Sequence, residues 1–257
     1  MEHEEYTVKN YPCCGKKYNG EKAIISLTSW KARINTVSKT LFSLIQQCPG
    51  FHIVLCLSEE EFPERENELP ENLMLFVNNE LVEILWVYKN YKAFKKILFT
   101  MDKYRDVPVI SADDDCIYTS NYAQMLYDKW LENKDNIISM GSGSEGKNGY
   151  YSFFGENKIN QKQPWPTGSK SLYPPYIFKH YGLKLLNDTI ISTNNDDGFY
   201  GYIIFHILNK TIINPFTQEQ CKVYYFHDEF EPMHNLPAYN LKKALLVISN
   251  ELYNIKL

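Results

Sequence analysis

Between residues 23 and 115 the chain alternates short apolar runs with stretches of helical periodicity, and no other feature limits the fold as tightly. AIISLTSW (23–30), HIVLCLS (52–58), LVEILWVY (81–88) and the first part of VPVISADDD (107–115) have the length and composition of buried strands. Val37, Leu41, Leu44, Ile45 and Cys48 recur at helical spacing and stop at Pro49-Gly50, and Phe94, Ile97, Leu98 and Met101 repeat the pattern within 91–104. The acidic, Pro-punctuated stretch EEEFPERENELPEN predicts a solvated loop with a helical turn. Strand, helix, strand, helix, strand in this order implies a parallel sheet with crossover helices. The expected class is therefore α/β, with a mostly parallel central sheet flanked by helices. Further on, the pattern predicts a helix over 119–134, a strand at 137–140, a helix starting near Asp196-Asp197, a strand at 222–228 and a helical tail from Ala238 to Leu257.

A chain of 257 residues suffices for one large α/β domain. Residues 1–22 are polar and aperiodic and read as a lead-in, and 23–257 read as a single domain. The Gly/Ser-rich stretch at 141–149 divides that domain into halves at 23–140 and 141–257. The net charge of -4 lacks the basic excess with which proteins neutralise nucleic-acid phosphates, so nucleic acid is not an expected partner. The six cysteines include a vicinal pair, Cys13-Cys14, but no CxxC pair of the kind that builds structural zinc sites. The opening residues have no apolar core of a signal peptide, and no apolar run approaches the roughly 20 residues needed to span a bilayer. A reduced, cytoplasmic protein is expected.

In open parallel sheets, ligands bind off the carboxyl ends of the strands. Thr28-Ser29, Ser58 and Asp113-Asp114-Asp115 all fall there. Three adjacent carboxylates after a buried strand repel one another unless a cation or hydrogen-bond donors compensate. Mg²⁺ and Mn²⁺ favour carboxylate oxygen, and Mg²⁺ typically takes one or two protein carboxylates together with substrate phosphates. Side chains alternate along extended backbone, so Asp113 and Asp115 point the same way and Asp114 points elsewhere. One of the outer two could reach a metal while the other reaches a ribose or a metal-bound water. The plain alternative is a solvated acidic turn.

The segments IISLTSWKARI (24–34), NYKAFKKIL (90–98) leading to VISADDDCIY (109–118), and LYPPYIF (172–178) followed by NNDDGFYGYII (194–204) together resemble glycosyltransferases of the GT-A type, a Rossmann-like fold, and in particular bacterial enzymes that build lipopolysaccharide and other surface glycans. The resemblance spans roughly residues 23–205 and makes 23–140 the nucleotide-sugar half and 141–257 the acceptor half. It implies that Thr28, Ser29, Arg33, Lys95, Asp113 and Asp114 serve the nucleotide-sugar, and that Asp113 and Asp115 hold Mn²⁺ or Mg²⁺. It puts Asp196 or Asp197 at the acceptor, with Tyr173 in a rigid Tyr-Pro-Pro loop that suits sugar stacking. His227 or His234 would complete the metal shell. The implied partners are a UDP-sugar donor and a glycan or lipid-linked glycan acceptor, reached by peripheral contact at the inner face of a membrane.

Transfer with inversion needs a base at the acceptor hydroxyl. Asp197 is assigned that role and Asp196 the helix cap or an acceptor hydrogen bond, with the reverse assignment open. Each of these residues also has a plainer use. Arg33 could be a surface cation, Lys92, Lys95 and Lys96 the wet face of a helix, and either histidine an ordinary surface or core residue. Two rival functions fit the acidic run. One is a haloacid-dehalogenase-like phosphatase with Asp113 as nucleophile. The other is a non-catalytic glycan-binding module that keeps the aromatic loops without metal or base.

Overall fold

The computed structural model describes residues 10–47, 49–146, 149–153, 165–166, 169–217, 219–226 and 241–253. The first half runs β1 (Cys13–Gly15), β2 (Ala23–Thr28), α1 (Val37–Ile45), β3 (Phe51–Ser58), α2 (Glu71–Asn78), β4 (Glu83–Val87), α3 (Lys95–Lys103), β5 (Val109–Ser111), β6 (Cys116–Ile117), α4 (Tyr122–Glu132) and β7 (Ile137–Ser139). Then follow β8 (Ser142–Gly146), β9 (Gly149–Phe153), β10 (Trp165–Pro166), β11 (Ser171–Tyr173), α5 (Gly182–Leu185), α6 (Asp188–Thr193), α7 (Asp196–Tyr202), β12 (Ile212–Ile213), β13 (Tyr224–Tyr225) and α8 (Leu241–Tyr253).

The central sheet has the order β1-β4-β3-β2-β5-β11-β7-β12. β2 through β5 are mutually parallel, β12 is parallel to β7, and β1 and β11 run antiparallel to their neighbours. Every residue of β3 is buried, which is why its sequence is a continuous apolar run and not an alternating one. On one face Ala23, Ile25 and Leu27 pack against Val37 and Leu41 of α1, Leu73 of α2 and Leu126 of α4. On the other, Ile24, Val54 and Leu85 meet Ile97 and Leu98 of α3, Phe199 of α7 and Ile248 of α8. Each such fully buried aliphatic side chain contributes about 1.5–3 kcal/mol of burial energy.

Several elements depart from the sequence expectation. The lead-in is not outside the sheet: β1 pairs with β4 along Cys13↔Leu85, Cys14↔Ile84 and Gly15↔Glu83. Gly15 has φ +84°, and a Cβ there would lie 2.3 Å from the Val82 carbonyl oxygen, so only glycine fits this edge. The Gly/Ser stretch, expected to divide the domain, forms β8 and the start of β9, which pair antiparallel. β11, from the second half, lies between β5 and β7 of the first, so one sheet serves both. Of the strand expected over 222–228, the described part, which ends at 226, holds β13, paired antiparallel to β6 in a ribbon of its own.

Two buried polar groups anchor the sheet at opposite ends. At the amino-terminal end of β4, the Glu83 carboxylate accepts from Tyr104 Oη at 2.5 Å, lies 2.5 Å from His52 Nε2, and pairs with the Lys103 ammonium. Burial raises the Glu83 pKa, but the His52, Lys103 and Tyr104 donors outweigh it and leave the group more acidic than normal. Its contribution to stability is therefore complete above the unfolded value, about 4.3, and is lost as pH falls through the lower folded value. Glu83→Ala strands a buried imidazole and phenol and is expected to cost about 3–5 kcal/mol. Denaturant unfolding checks this, and a loss near zero would mean the network is solvated. Near the carboxyl-terminal end, Ser26, Ser111, Ser171 and Ser139 line up across β2, β5, β11 and β7, all fully buried. The Ser171 amide donates to Ser111 Oγ (3.1 Å), Ser171 Oγ donates to Ser139 Oγ (2.8 Å), and Ser26 Oγ lies 2.7 Å from Thr100 Oγ1 of α3. The row ties the sheet to the helix that carries Lys96.

Candidate active site

Connectivity decides where the cleft lies. From β2 the chain moves to β3 and β4 on one side, then returns through α3 to β5 on the other side. The gap past the carboxyl ends of β2 and β5 is thus the switch point at which open α/β sheets bind ligands. Two segments meet there: Thr28 to Arg33 after β2, and Asp113 to Asp115 after β5.

The acidic triplet is graded in depth. The side chains of Asp113 and Asp115 are 35% and 24% exposed, whereas that of Asp114 is 8% exposed. Asp114 accepts from Ser29 Oγ at 2.6 Å and from Arg33 Nη1 at 2.9 Å. The same Arg33 nitrogen donates to Asp115 Oδ2, also at 2.9 Å. Lys96 Nζ, on the first turn of α3, donates to Asp113 Oδ1 at 2.6 Å. Among the described residues, Arg33 and Lys96 are the cations that pair with the triplet. Burial drives the Asp114 pKa up against Ser29 and Arg33, and burial together with the charge of Asp113 raises that of Asp115. The Tyr118 hydroxyl accepts from the Asp113 amide (2.8 Å) and donates to the Ser169 carbonyl (3.2 Å), pinning the triplet backbone to the chain entering β11. On the far side, the Phe226 amide donates to the Asp115 carbonyl at 3.1 Å.

Asp196 and Asp197 form the first turn of α7, which Asn195 caps by accepting from the Gly198 amide at 2.8 Å. The cap is therefore Asn195, and Asp196 is released from that role. Asp196 is buried, and its Oδ2 has no hydrogen-bond partner and stands 3.7 Å from Lys96 Nζ, beyond hydrogen-bond reach. Burial raises its pKa, the Lys96 charge opposes this, and the Asp113 charge adds to it. The Asn195 Nδ2 is a second buried polar atom in the same turn without a hydrogen-bond partner.

Of the residues expected at a site, Ser29, Arg33, Asp113, Asp114, Asp115 and Asp196 are linked by these contacts, with Asp197 next in the α7 turn. Thr28 is adjacent, but its hydroxyl donates to the Cys56 carbonyl at 2.7 Å. Ser29 and Asp114 are too buried to present much surface to a nucleotide, and their part is to hold Arg33 and the loop. Lys95 is displaced from its expected role: its ammonium, 1% exposed, pairs with Glu61 at 2.8 Å and Asn90 at 3.0 Å. Its neighbour Lys96 reaches the acids instead. Tyr173 is also corrected. It closes β11 in the middle of the sheet at 0% exposure, with its ring against Phe178 and Tyr200, so it offers no face to a sugar. His227 and His234 lie outside the described residues.

Sequence reasoning missed Lys96, Tyr118 and Ser169. The first was visible as one of three lysines in KAFKK, without a means of choosing among them. Half-exposed Trp30, after Ser29, and exposed Tyr224 and Tyr225, paired with the strand after the triplet, are aromatic residues on segments adjoining the acids.

The donor set fits a small divalent cation. Asp113 and Asp115 are the two outward carboxylates, each with one oxygen engaged by an internal cation, and hard oxygen ligands of this number suit Mg²⁺ or Mn²⁺ shared with phosphates. Among the described residues no group of three or more His, Cys, Asp or Glu side chains forms an all-protein metal cage.

The fold is that of the GT-A glycosyltransferases. The structure is similar to that of GalNAc-T7, crystallised with UDP, GalNAc and Mn²⁺, with a TM-score of 0.61 and 12% identity over 91% of this chain and 48% of that one. It is also similar to residues 1–349 of S. aureus TarS, with a TM-score of 0.52 and 14% identity over 92% of this chain and 66% of that one. The chain thus spans about half the length of the first and just under two thirds of the second. By sequence it matches no family model and no curated protein. Among the described residues no helix is long and apolar enough to cross a membrane.

Proposed function

We propose that this chain is a metal-dependent glycosyltransferase that moves a sugar from a nucleotide-sugar, a UDP-sugar by the resemblance, to a hydroxyl of a glycan acceptor. The observation that carries this is the graded triplet at the β2/β5 switch point, joined through Lys96 to Asp196 in the acidic turn of α7. The crystallisation of GalNAc-T7 with UDP and Mn²⁺ supports the donor and metal classes.

Asp113 and Asp115 would hold Mn²⁺ or Mg²⁺, with His227, the residue after Phe226, or His234 completing its shell. The ion, when bound, neutralises charge on the diphosphate that leaves. Arg33 adds a fixed positive charge at the same place. Trp30 and Tyr225, both exposed, offer stacking surface to the base or the sugar. In α7, Asp197 takes the proton of the incoming hydroxyl, and the buried Asp196, 3.7 Å from Lys96, belongs to the turn that carries it. The acceptor is a growing lipid-linked glycan of a bacterial surface polysaccharide, met at the inner face of the membrane.

The test is incubation with a panel of nucleotide-sugars and Mn²⁺, following nucleoside diphosphate release and thermal stabilisation. A site filled at a hundredfold excess over Kd gains roughly 2.7 kcal/mol. A metal-dependent shift and diphosphate release are expected with a UDP-sugar. Trapping of phosphate on Asp113 would instead establish the phosphatase, and binding of glycan with no nucleotide response would establish a binding module.

A further inference from the structure

The Lys96 ammonium stands between two carboxylates, one in the triplet after β5 and one in the first turn of α7. It is nearly fully buried, donates to Asp113 at 2.6 Å and stops 3.7 Å short of Asp196, whose Oδ2 is buried and unsatisfied. Its backbone is fixed from below, since the Lys96 carbonyl accepts from Ser26 Oγ in the serine row. The side chain can therefore exchange partners while the helix stays still. A buried carboxylate oxygen without a donor costs free energy, and a charge-assisted bond from a cation already 3.7 Å away would remove that cost.

We propose that Lys96 is a positioning residue that couples the donor to the acceptor turn. Without donor, it neutralises Asp113. When a divalent cation and diphosphate engage Asp113, the ammonium gives up that carboxylate and closes on Asp196, setting the first turn of α7 for the acceptor hydroxyl. The proposal rests on the glycosyltransferase assignment above, and adds to it a role that the acidic residues alone do not require.

The coupling has a signature that loss of structure cannot imitate. Lys96 competes with the metal for Asp113, so Lys96→Met is expected to tighten Mn²⁺ binding, read by the free-ion electron paramagnetic resonance signal, by about tenfold. The same variant is expected to lower kcat at saturating donor by about a hundredfold and to raise the acceptor KM, because Asp196 has lost its cation. Lys96→Arg, which keeps the charge, is expected to recover much of the acceptor KM. Mn²⁺ affinity that is unchanged or weakened in Lys96→Met, in a variant whose circular dichroism is native, overturns the coupling. So does a kcat loss with no change in acceptor KM. If the wild type itself binds neither Mn²⁺ nor a nucleotide-sugar, the assignment fails and the coupling falls with it. If the wild type binds both and Lys96→Met does not bind the metal more tightly, only the coupling fails.

Discussion

Asp113→Asn and Asp115→Asn are each expected to lower sugar transfer by about a thousandfold and to abolish the Mn²⁺-dependent thermal shift with donor. These are the outward members of the triplet, each with an oxygen engaged by an internal cation and its carboxylate at the cleft surface. An amide keeps the shape but loses the charge and most of the affinity for a hard cation. A thousandfold corresponds to about 4 kcal/mol of transition-state stabilisation, within what a metal at a leaving diphosphate supplies. The control is Asp114→Asn. That side chain is buried on Ser29 and Arg33, so its loss should appear first as reduced stability, with metal dependence retained. If Asp114→Asn abolished the metal response while Asp113→Asn left it intact, the outward and inward roles would have to be exchanged.

Asp197→Asn is expected to lower kcat by about a hundredfold to ten-thousandfold while leaving the donor Kd and the metal response unchanged. The amide cannot take a proton at the acceptor oxygen, and Asp197 lies in α7, outside the triplet proposed to hold the metal. The neighbouring Asp196 is a weaker candidate for the base, since it is buried, lies 3.7 Å from a lysine and belongs to the first turn on its inner side. Pre-steady-state turnover and isothermal titration separate the two steps. Full activity in Asp197→Asn, with a large loss in Asp196→Asn, would reverse the assignment. Full activity in both would remove the base altogether and point to retention of configuration.

The parallel strands could be read from the sequence because both of their faces are covered, which forces continuous apolar runs in β2, β3 and β4. Other elements could not be read, for reasons that are local. β11 is three residues long and followed by Pro174-Pro175, so its letters describe a loop. Its place in the sheet comes from pairing with β5 and β7, which are distant in sequence. That pairing is also what buries Tyr173. α2 begins directly after Pro70 in an acidic stretch, and only its inward residues Leu73 and Val77 carry the signal. β1 is an edge strand too short for any period.

The triplet and the acidic pair of α7 could be found as motifs, but which lysine serves them could not. Adjacent residues on a helix point about 100° apart, so the choice between Lys95 and Lys96 is a choice of helical phase. A 3-10 turn over Lys92–Phe94 precedes α3 and sets that phase, and its tighter winding leaves no mark in the apolar pattern. The depth of Asp114 was partly legible, since alternation along extended backbone sets it apart from its neighbours. Its bond to Ser29 joins residues 85 apart in sequence and depends on β2 and β5 being neighbours.

The most direct measurement is anomalous diffraction at the manganese edge from crystals soaked in Mn²⁺ and UDP. A peak between the Asp113 and Asp115 carboxylates, with the diphosphate oxygens on its open side, is the expected result. An ordered nucleotide elsewhere, or manganese bound away from the crevice between β2 and β5 with both carboxylates still on Lys96 and Arg33, would contradict the proposed donor site.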